Sequence, residues 1–244
     1  MLVILFFTFL ASIVSLALVA TLLVHKTLMR RISFDLVAFA AGALLATGLL
    51  DTFPEAVKEN QSAFLWVLLS IAGFFIIERL FLALHHHDDE DEKDEMRLPA
   101  SLLMFGDALH NAVDGASIAA AFLASYPLGI VTTTAVFIHE IPHELGDFGI
   151  LLHKGWSRKN VLLFNFVSGI AAIVGALVAY YLGITFSKAI PILLAVATGN
   201  FIYLSAADLL PEIHKRAKKS LALNHVFFFL LGIGLIYLLI EIIG

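Results

Sequence analysis

Long apolar stretches alternate with short polar connections along almost the whole chain. A helix that crosses the hydrocarbon core of a bilayer needs about 20 mostly apolar residues, and eight stretches reach that length. The pattern predicts an all-α polytopic membrane protein with eight transmembrane helices and no separate soluble module, so that residues 1–244 form one domain. The predicted spans are approximately 2–24, 34–54, 62–84, 99–125, 128–153, 159–182, 187–211 and 221–242.

The amino-acid composition supports a membrane location and excludes other classes of protein. Hydrophobic residues make up 60% of the 244 positions and charged residues 14%, against roughly a quarter charged in an ordinary soluble domain. A soluble fold of this length needs far more polar surface around its core. A soluble enzyme, a nucleic-acid-binding protein and a disordered chain are therefore excluded, and the lipid bilayer is the expected environment. The chain has no cysteine, which rules out disulfides, thiolate metal sites and cysteine nucleophiles.

Lysine and arginine fall in alternate loops, and this distribution predicts the orientation in the membrane. The loops after the first, third, fifth and seventh spans hold most of these residues, whereas the loops after the second, fourth and sixth hold only Lys58 and Lys188. Because loops rich in lysine and arginine stay in the cytoplasm, both termini are predicted to lie outside and the loop at about 85–98 in the cytosol. The short loops and the lack of a targeting segment predict a plasma (inner) membrane.

Two segments of the chain repeat each other. Residues 42–56 read GALLATGLLDTFPEA and residues 199–213 read GNFIYLSAADLLPEI, so a leading glycine precedes D-x-x-P-E at the same spacing. The predicted topology places the two segments in opposite directions, as in an inverted repeat where spans 1–3 correspond to spans 6–8. Spans 4 and 5 remain in the middle, unpaired with either half, and inverted repeats are typical of transporters. The alternative is that D-x-x-P-E is a common helix-ending pattern.

Spans 4 and 5 carry nine polar or ionisable groups at membrane depth, within FGDALHNAVDGAS and FIHEIPHELGDFG. One charge at the centre of a bilayer costs about 2.5–3.5 kcal/mol on the insertion scale. Such groups persist when they face a cavity, pair with one another or hold a cation. Pro142 lies inside span 5, where it leaves the carbonyl of Ile138 without a donor and predicts a kink.

The spacing of these groups indicates a metal site. His110 and Asp114 are four residues apart and project from one face of a helix, as do His139 and His143 on the next span. Imidazole and carboxylate together form the donor set that suits Zn²⁺ and related divalent metals. Asn111 and Glu140 stand about 100° further round each helix and form a candidate second position, richer in oxygen. Further acidic groups are candidates for the path of the ion: Asp107, Glu144, Asp147 and Asp208.

Two other functions use the same residues. The segment HEIPH at 139–143 formally matches H-E-x-x-H, the zinc-protease helix in which glutamate is the general base. The internal proline distorts that turn, and neighbouring groups supply more ligands than a catalytic zinc with an open position needs. A membrane metal sensor that binds without transport, and polar groups that serve as structural contacts between helices, are the remaining alternatives.

The paired motifs HNAVDG and HEIPHELGDF in adjacent apolar helices resemble the ZIP (Zrt/Irt-like protein) family of divalent-metal transporters, in particular its branch with H-E-x-P-H-E in the fifth helix. The resemblance covers essentially the whole chain. It implies eight spans in a 3+2+3 arrangement, termini outside, and passage of Zn²⁺ into the cytoplasm, with Fe²⁺, Mn²⁺ or Cd²⁺ as alternative cargo. It also implies a homodimer, no enzymatic activity and no organic cofactor.

The resemblance also implies a ligand set. The neighbouring second site would share two ligands of the primary site, and some family members complete it with a glutamate in span 6 after a Ser-Gly pair. Here Ser168-Gly169 is followed by Ile170, Ala171 and Ala172, so one strong and one weak site are expected. The primary site would be His110, Asp114, His139 and His143, and the second would add Asn111 and Glu140.

The predicted cytosolic loop begins with His85, His86 and His87, followed by DDEDEKDE. Histidines beside carboxylates attract divalent metal, so these three residues are candidate ligands that collect the ion at its exit. The alternative is a solvated acidic linker with almost nothing apolar to bury.

Overall fold

A computed structural model describes residues 1–22, 26–83, 100–216 and 221–243. Within these ranges the chain forms eight helical rods and no strand, which confirms the all-α class. We number the rods α1 to α8. Helix α1 is Leu2–Phe9, Leu10–Val14 (π-helical) and Ser15–Leu22; α2 is Lys26–Thr47, Gly48–Thr52 (π-helical) and Phe53–Glu59; α3 is Ala63–Ala83; α4 is Ala100–Ala124; α5 is Tyr126–His153; α6 is Arg158–Thr185; α7 is Ala189–Tyr203, Leu204–Leu209 (π-helical) and Leu210–Arg216; α8 is Ala222–Ile243.

Six of the rods in the described ranges are long and apolar enough to cross a membrane: α1, α2, α3, α6, α7 and α8. This confirms a polytopic membrane protein. The other two, α4 and α5, have 25 and 28 residues, which is ample length for a span. Their polar groups lower the mean hydropathy, so the total of eight transmembrane helices stays a prediction.

The connection between α4 and α5 is a single residue, Ser125. Its side-chain oxygen accepts a hydrogen bond from the amide of Leu128 at 3.2 Å, which caps the start of α5. Pro127 occupies the first turn of α5, where the missing N–H costs nothing. Further along, the helix is continuous through Pro142, so the expected distortion there does not interrupt it.

The two D-x-x-P-E motifs do not end their helices, contrary to the sequence-based expectation. A π-helical segment, Gly48–Thr52 in α2 and Leu204–Leu209 in α7, leads into each proline, and the rod then continues as α-helix. A π-helical turn shifts the hydrogen-bond register by one residue, so the rod accommodates a proline that lacks a donor. The same rare feature stands at the same place in both repeats.

The packing of the helices also follows the repeat. Helix α2 packs extensively against α8, and its counterpart α7 packs against α3. A Cβ on Gly42 would lie 2.1 Å from the carbonyl oxygen of Phe229 in α8, and one on Gly199 would lie 2.8 Å from that of Val67 in α3. These two glycines lead the repeated segments. The recurrence of one close helix contact at equivalent positions supports the internal repeat.

Helices α4 and α5 pack against each other between the two repeats. Helix α4 also contacts α6 and α7 and, less extensively, α1, whereas α5 also contacts α1 and α2 and, less extensively, α8. Each of the two therefore has neighbours from both halves of the repeat. Polar side chains on the facing surfaces of α4 and α5 are enclosed by other helices, whereas α3 and α8 have most of their apolar surface exposed.

Candidate metal-binding site

Four side chains from α4 and α5 converge on one point. The donor atoms are Nε2 of both histidines, one oxygen of the aspartate and one oxygen of the glutamate, and all four lie within 4.8 Å of one another. Three of the side chains are buried, and the fourth, that of His110, is 12% exposed. We call this set the first ligand group: His110, Asp114, His139 and Glu140.

The spacing of these donor atoms matches a tetrahedral zinc site. His110 Nε2 lies 3.2 Å from His139 Nε2, 3.4 Å from Asp114 Oδ2 and 3.6 Å from Glu140 Oε1. His139 Nε2 lies 2.9 Å from Asp114 Oδ2 and 3.5 Å from Glu140 Oε1. Tetrahedral Zn²⁺ with bonds of about 2.0–2.1 Å separates its ligand atoms by about 3.3–3.4 Å. These five separations, from 2.9 to 3.6 Å, therefore lie around the edge length that this ion requires.

Groups around the first ligand group orient it. The Nδ1 of His139 donates to the carbonyl oxygen of Ala135 at 3.2 Å, which leaves Nε2 with the lone pair that a metal needs. Asn200 of α7 donates to Asp114 Oδ1 at 3.4 Å. Two buried carboxylate oxygens, Asp114 Oδ2 and Glu140 Oε1, accept no hydrogen bond. Buried polar atoms are almost always paired, so oxygens left open in this way suit a cation.

A second set of donors lies one helical turn away along both helices. Asp107, His143 and Asp147 each offer one atom, and these three atoms also lie within 4.8 Å of one another. His143 Nδ1 is 3.7 Å from Asp107 Oδ1 and 4.0 Å from Asp147 Oδ2. We call these three residues the second ligand group. His143, which the family resemblance assigned to the primary site, thus directs a donor atom to this group.

The structure places Asn111 in a hydrogen-bond network. Its amide nitrogen donates to the backbone oxygen of Asp107 at 3.1 Å and to Asp107 Oδ1 at 3.0 Å. Its amide oxygen accepts from Ser12 Oγ of α1 at 3.4 Å. Ser168, which the sequence marks where a further glutamate would follow, lies 3.5 Å from the same amide nitrogen. Asn111 therefore contacts a candidate ligand and belongs to neither ligand group.

The remaining candidates lie apart from both groups. Glu144 is buried against α1, where its Oε1 accepts from Ser15 Oγ at 3.1 Å. Asp208 is exposed in the π-helical segment of α7. The loop histidines His85, His86 and His87 lie outside the described residues.

Two functional contacts of α1 were missed from the sequence. Ser12 and Ser15 lie in or directly after the π-helical segment Leu10–Val14, and both are buried. They contact Asn111 and Glu144. Hydroxyls inside an apolar span are the available signal, but serine often bonds only to its own helix, so the sequence does not single them out.

Comparison with known proteins identifies the family of the chain. A family model described as ZIP zinc transporter matches residues 82–240, which cover more than half of the chain. The zinc transporter ZIP4 of Homo sapiens is 45% identical over 121 residues, which are 50% of this chain and 18% of that protein. The zinc transporter foi of Drosophila melanogaster is 39% identical over 145 residues, 57% of this chain and 20% of that protein.

The zinc transporter ZIP13 of Pongo abelii is 29% identical over 198 residues, 73% of this chain and 58% of that protein. The chain spans about a fifth of the length of the human and fly relatives. The family match includes both motifs, HNAVDG and HEIPHELGDF, and the helices α4 and α5 that carry the two ligand groups. By this match over more than half of its length, the chain belongs to the ZIP zinc transporter family.

Proposed function

We propose that the protein transports Zn²⁺ across a membrane through the site between α4 and α5. The observation that carries this proposal is the tetrahedral spacing of the four donor atoms in the first ligand group, with two carboxylate oxygens left open. Two imidazoles and two carboxylates form a neutral site around a divalent cation, which lowers the cost of holding charge at membrane depth. The family membership of the chain adds independent support.

The ligand set proposed for the transported ion follows the geometry. We assign Glu140 to the first ligand group as the fourth donor, because its Oε1 lies 3.5–3.6 Å from both histidine nitrogens. The residue that the resemblance would use instead, His143, stacks on His110 with ring centroids 4.5 Å apart. Fe²⁺, Mn²⁺ and Cd²⁺ accept the same nitrogen and oxygen donors and are proposed as alternative cargo.

Proteolysis is less well supported than transport. A zinc protease with H-E-x-x-H needs both histidines on one ion and a free position for water. Here the Nε2 of His139 belongs to one group and the Nδ1 of His143 to the other. The first ligand group already has four donors, which complete a tetrahedron. Two neighbouring ligand groups with one histidine of HEIPH in each therefore suit the transport of an ion better than proteolysis.

We further propose import into the cytoplasm of a cell whose plasma (inner) membrane holds the protein, with both termini outside. The distribution of lysine and arginine among the loops supports this orientation. We propose a homodimer because the resemblance to the ZIP family implies one, and membership of the H-E-x-P-H-E branch because residues 139–144 read HEIPHE. The histidine-rich loop at about 85–98 is proposed to receive the ion on the cytosolic side.

Purified full-length chain in liposomes that contain a zinc-sensitive dye tests the function. Zinc added outside should produce a saturable rise in dye signal, and an unrelated membrane protein in matched liposomes serves as the control for leakage. Cleavage of a membrane-spanning peptide without any zinc flux would instead establish the protease. Binding of zinc with neither flux nor cleavage would contradict transport and leave a sensor.

A further inference from the structure

The three residues of the second ligand group have the chemistry of a separate metal site. Asp107 Oδ2, His143 Nδ1 and Asp147 Oδ2 are all buried atoms that make no hydrogen bond. The side chain of Asp107 is only 5% exposed, so its open oxygen is well shielded from water. Leaving buried polar atoms without partners is costly. His143 Nδ1 and Asp147 Oδ2 lie 4.0 Å apart, and a cation bound between the three side chains satisfies both of these unpaired atoms.

The surrounding contacts hold Asp107 in one orientation. Asn111 donates to its Oδ1 at 3.0 Å and to its backbone oxygen at 3.1 Å. Because a backbone carbonyl only accepts hydrogen bonds, these contacts also fix which end of the Asn111 amide faces Asp107. Ser12 then bonds to the other end of that amide and to the carbonyl oxygen of Gly169 in α6. A carboxylate held by outer contacts while one oxygen stays open is the usual arrangement of a metal ligand.

The second ligand group differs from the first in strength. It has three donors instead of four, and the separations of 3.7 and 4.0 Å exceed the tetrahedral edge of about 3.3–3.4 Å for zinc. The side chains of His143 and Asp147 are 27% and 15% exposed, so water can complete the coordination shell. Two carboxylates still match the charge of a divalent cation. These features describe a site that binds more weakly and exchanges more readily than the first.

The second ligand group lies nearer than the first to the ends of α4 and α5 that are predicted to face the cytoplasm. Asp107 lies towards the beginning of α4, and Asp147 lies towards the end of α5. Both of these helix ends are predicted to face the cytoplasm. We infer that the second ligand group is a distinct, weaker divalent-metal site that receives the ion from the first ligand group on its way out. This inference rests on the proposed function for its direction, but the existence of the second site does not.

Zinc binding to the full-length protein in lipid nanodiscs tests the inference. Bound Zn²⁺ per chain is measured by equilibrium dialysis over a range of free Zn²⁺, for the wild type and for the variants Asp107→Asn, Asp147→Asn and His139→Ala. Asp35→Asn is the matched control, since Asp35 is also a largely buried aspartate, 17% exposed beside His225, and lies outside both groups. The cytosolic loop is the same in every variant, so its own binding cancels in the comparison.

Each aspartate variant should lose one weakly bound ion and keep the tightly bound one, which also reports that the protein is folded. His139→Ala should lose the tight ion and keep the weak one, and Asp35→Asn should bind as the wild type does. The conservative variant Asp147→Glu, which retains a carboxylate, should keep both ions. An unchanged number of ions in both aspartate variants, or the same loss in all three site variants, would overturn the inference.

The same samples separate this inference from the proposed function. Flux through the wild type combined with unchanged ion counts in the aspartate variants contradicts only the second site. Two independent ions bound without any flux contradict only transport.

Discussion

The imidazole rings of His110 and His143 are stacked, with centroids 4.5 Å apart and planes inclined by 27°, yet their donor nitrogens belong to different ligand groups. His110 uses Nε2 in the first group, whereas His143 directs Nδ1 to the second. The stacked rings of His110 and His143 therefore place the first and second ligand groups in direct contact. An ion that leaves the first group therefore meets a histidine of the second at the next turn of the helices.

Replacing His139 with alanine should abolish saturable zinc uptake. His139 Nε2 is the donor nearest to Asp114, at 2.9 Å, and it is almost fully buried, so water cannot easily take its place. His225→Ala is the matched control, because His225 is also a buried histidine, 6% exposed, and lies at the α2–α8 contact. Dye-loaded liposomes measure both variants. Uptake by His139→Ala at the wild-type rate would refute the ligand assignment.

Asn111→Ala should weaken zinc binding at the second ligand group by about 10–100-fold, the usual effect of removing a residue that orients a metal ligand. Binding at the first group should change much less, since the side-chain hydrogen bonds of Asn111 go to Ser12, Asp107 and Ser168 and to no member of that group. The same dialysis experiment measures both affinities. Asn165→Ala is the control, as the amide of this buried asparagine donates to Val161 of its own helix at 2.9 Å. Equal weakening by the two variants would indicate a general effect on packing.

Zinc affinity should fall as the pH falls from about 7 to about 5.5. A histidine ligand must be neutral, and free histidine has a pKa of about 6.5. Protons therefore compete with the metal for the histidine nitrogens, and binding releases them. Uptake measured at several pH values and zinc concentrations should show a rising half-saturation concentration as protons are added. A flat profile would mean that the histidines do not hold the transported ion.

Gly42→Ala and Gly199→Ala should each lower the thermal stability of the protein. The added Cβ would meet a backbone oxygen or a side chain of the neighbouring helix within 2.5 Å in both cases, and such overpacking costs about 1–3 kcal/mol. Gly73→Ala and Gly234→Ala are the controls, because a Cβ at either position meets nothing within 4 Å. Thermal unfolding in detergent checks all four. Equal melting temperatures for the two pairs would contradict the close helix contacts.

The sequence predicts the helices and indicates the candidate ligands because both depend on local spacing. The two motifs place imidazoles and carboxylates on one face of α4 and one face of α5, and those faces meet in the structure. Which of Glu140 and His143 completes the first group depends on how α5 is rotated about its axis against α4. That rotation is set by packing against other helices, which no local pattern records.

The predicted span ends at Pro54 and Pro211, where the helices in fact continue, show another limit of the sequence. Proline normally stops a helix because it lacks a donor, and the predicted spans 34–54 and 187–211 end at these two prolines. The π-helical segments before the two prolines are defined by the backbone hydrogen-bond register of a whole helical turn, which the amino-acid pattern does not indicate. The position of the Ser12 side chain depends in the same way on the π-helical segment Leu10–Val14 of α1. Its hydrogen bond to Asn111 could therefore not be predicted from the sequence either.

Ser125 joins α4 and α5 at one end, so a change in the angle between the two helices moves their residues apart in proportion to the distance from Ser125. At 1.5 Å per residue, the nearest donors of the first group on each helix, Asp114 and His139, lie about 17–21 Å from Ser125, and the two aspartates of the second group lie about 27–33 Å from it. If the angle between the helices opens by a given amount, Asp107 and Asp147 separate roughly one and a half times as far as Asp114 and His139. A small increase in the angle between α4 and α5 would therefore separate the donors of the second ligand group before it affects those of the first.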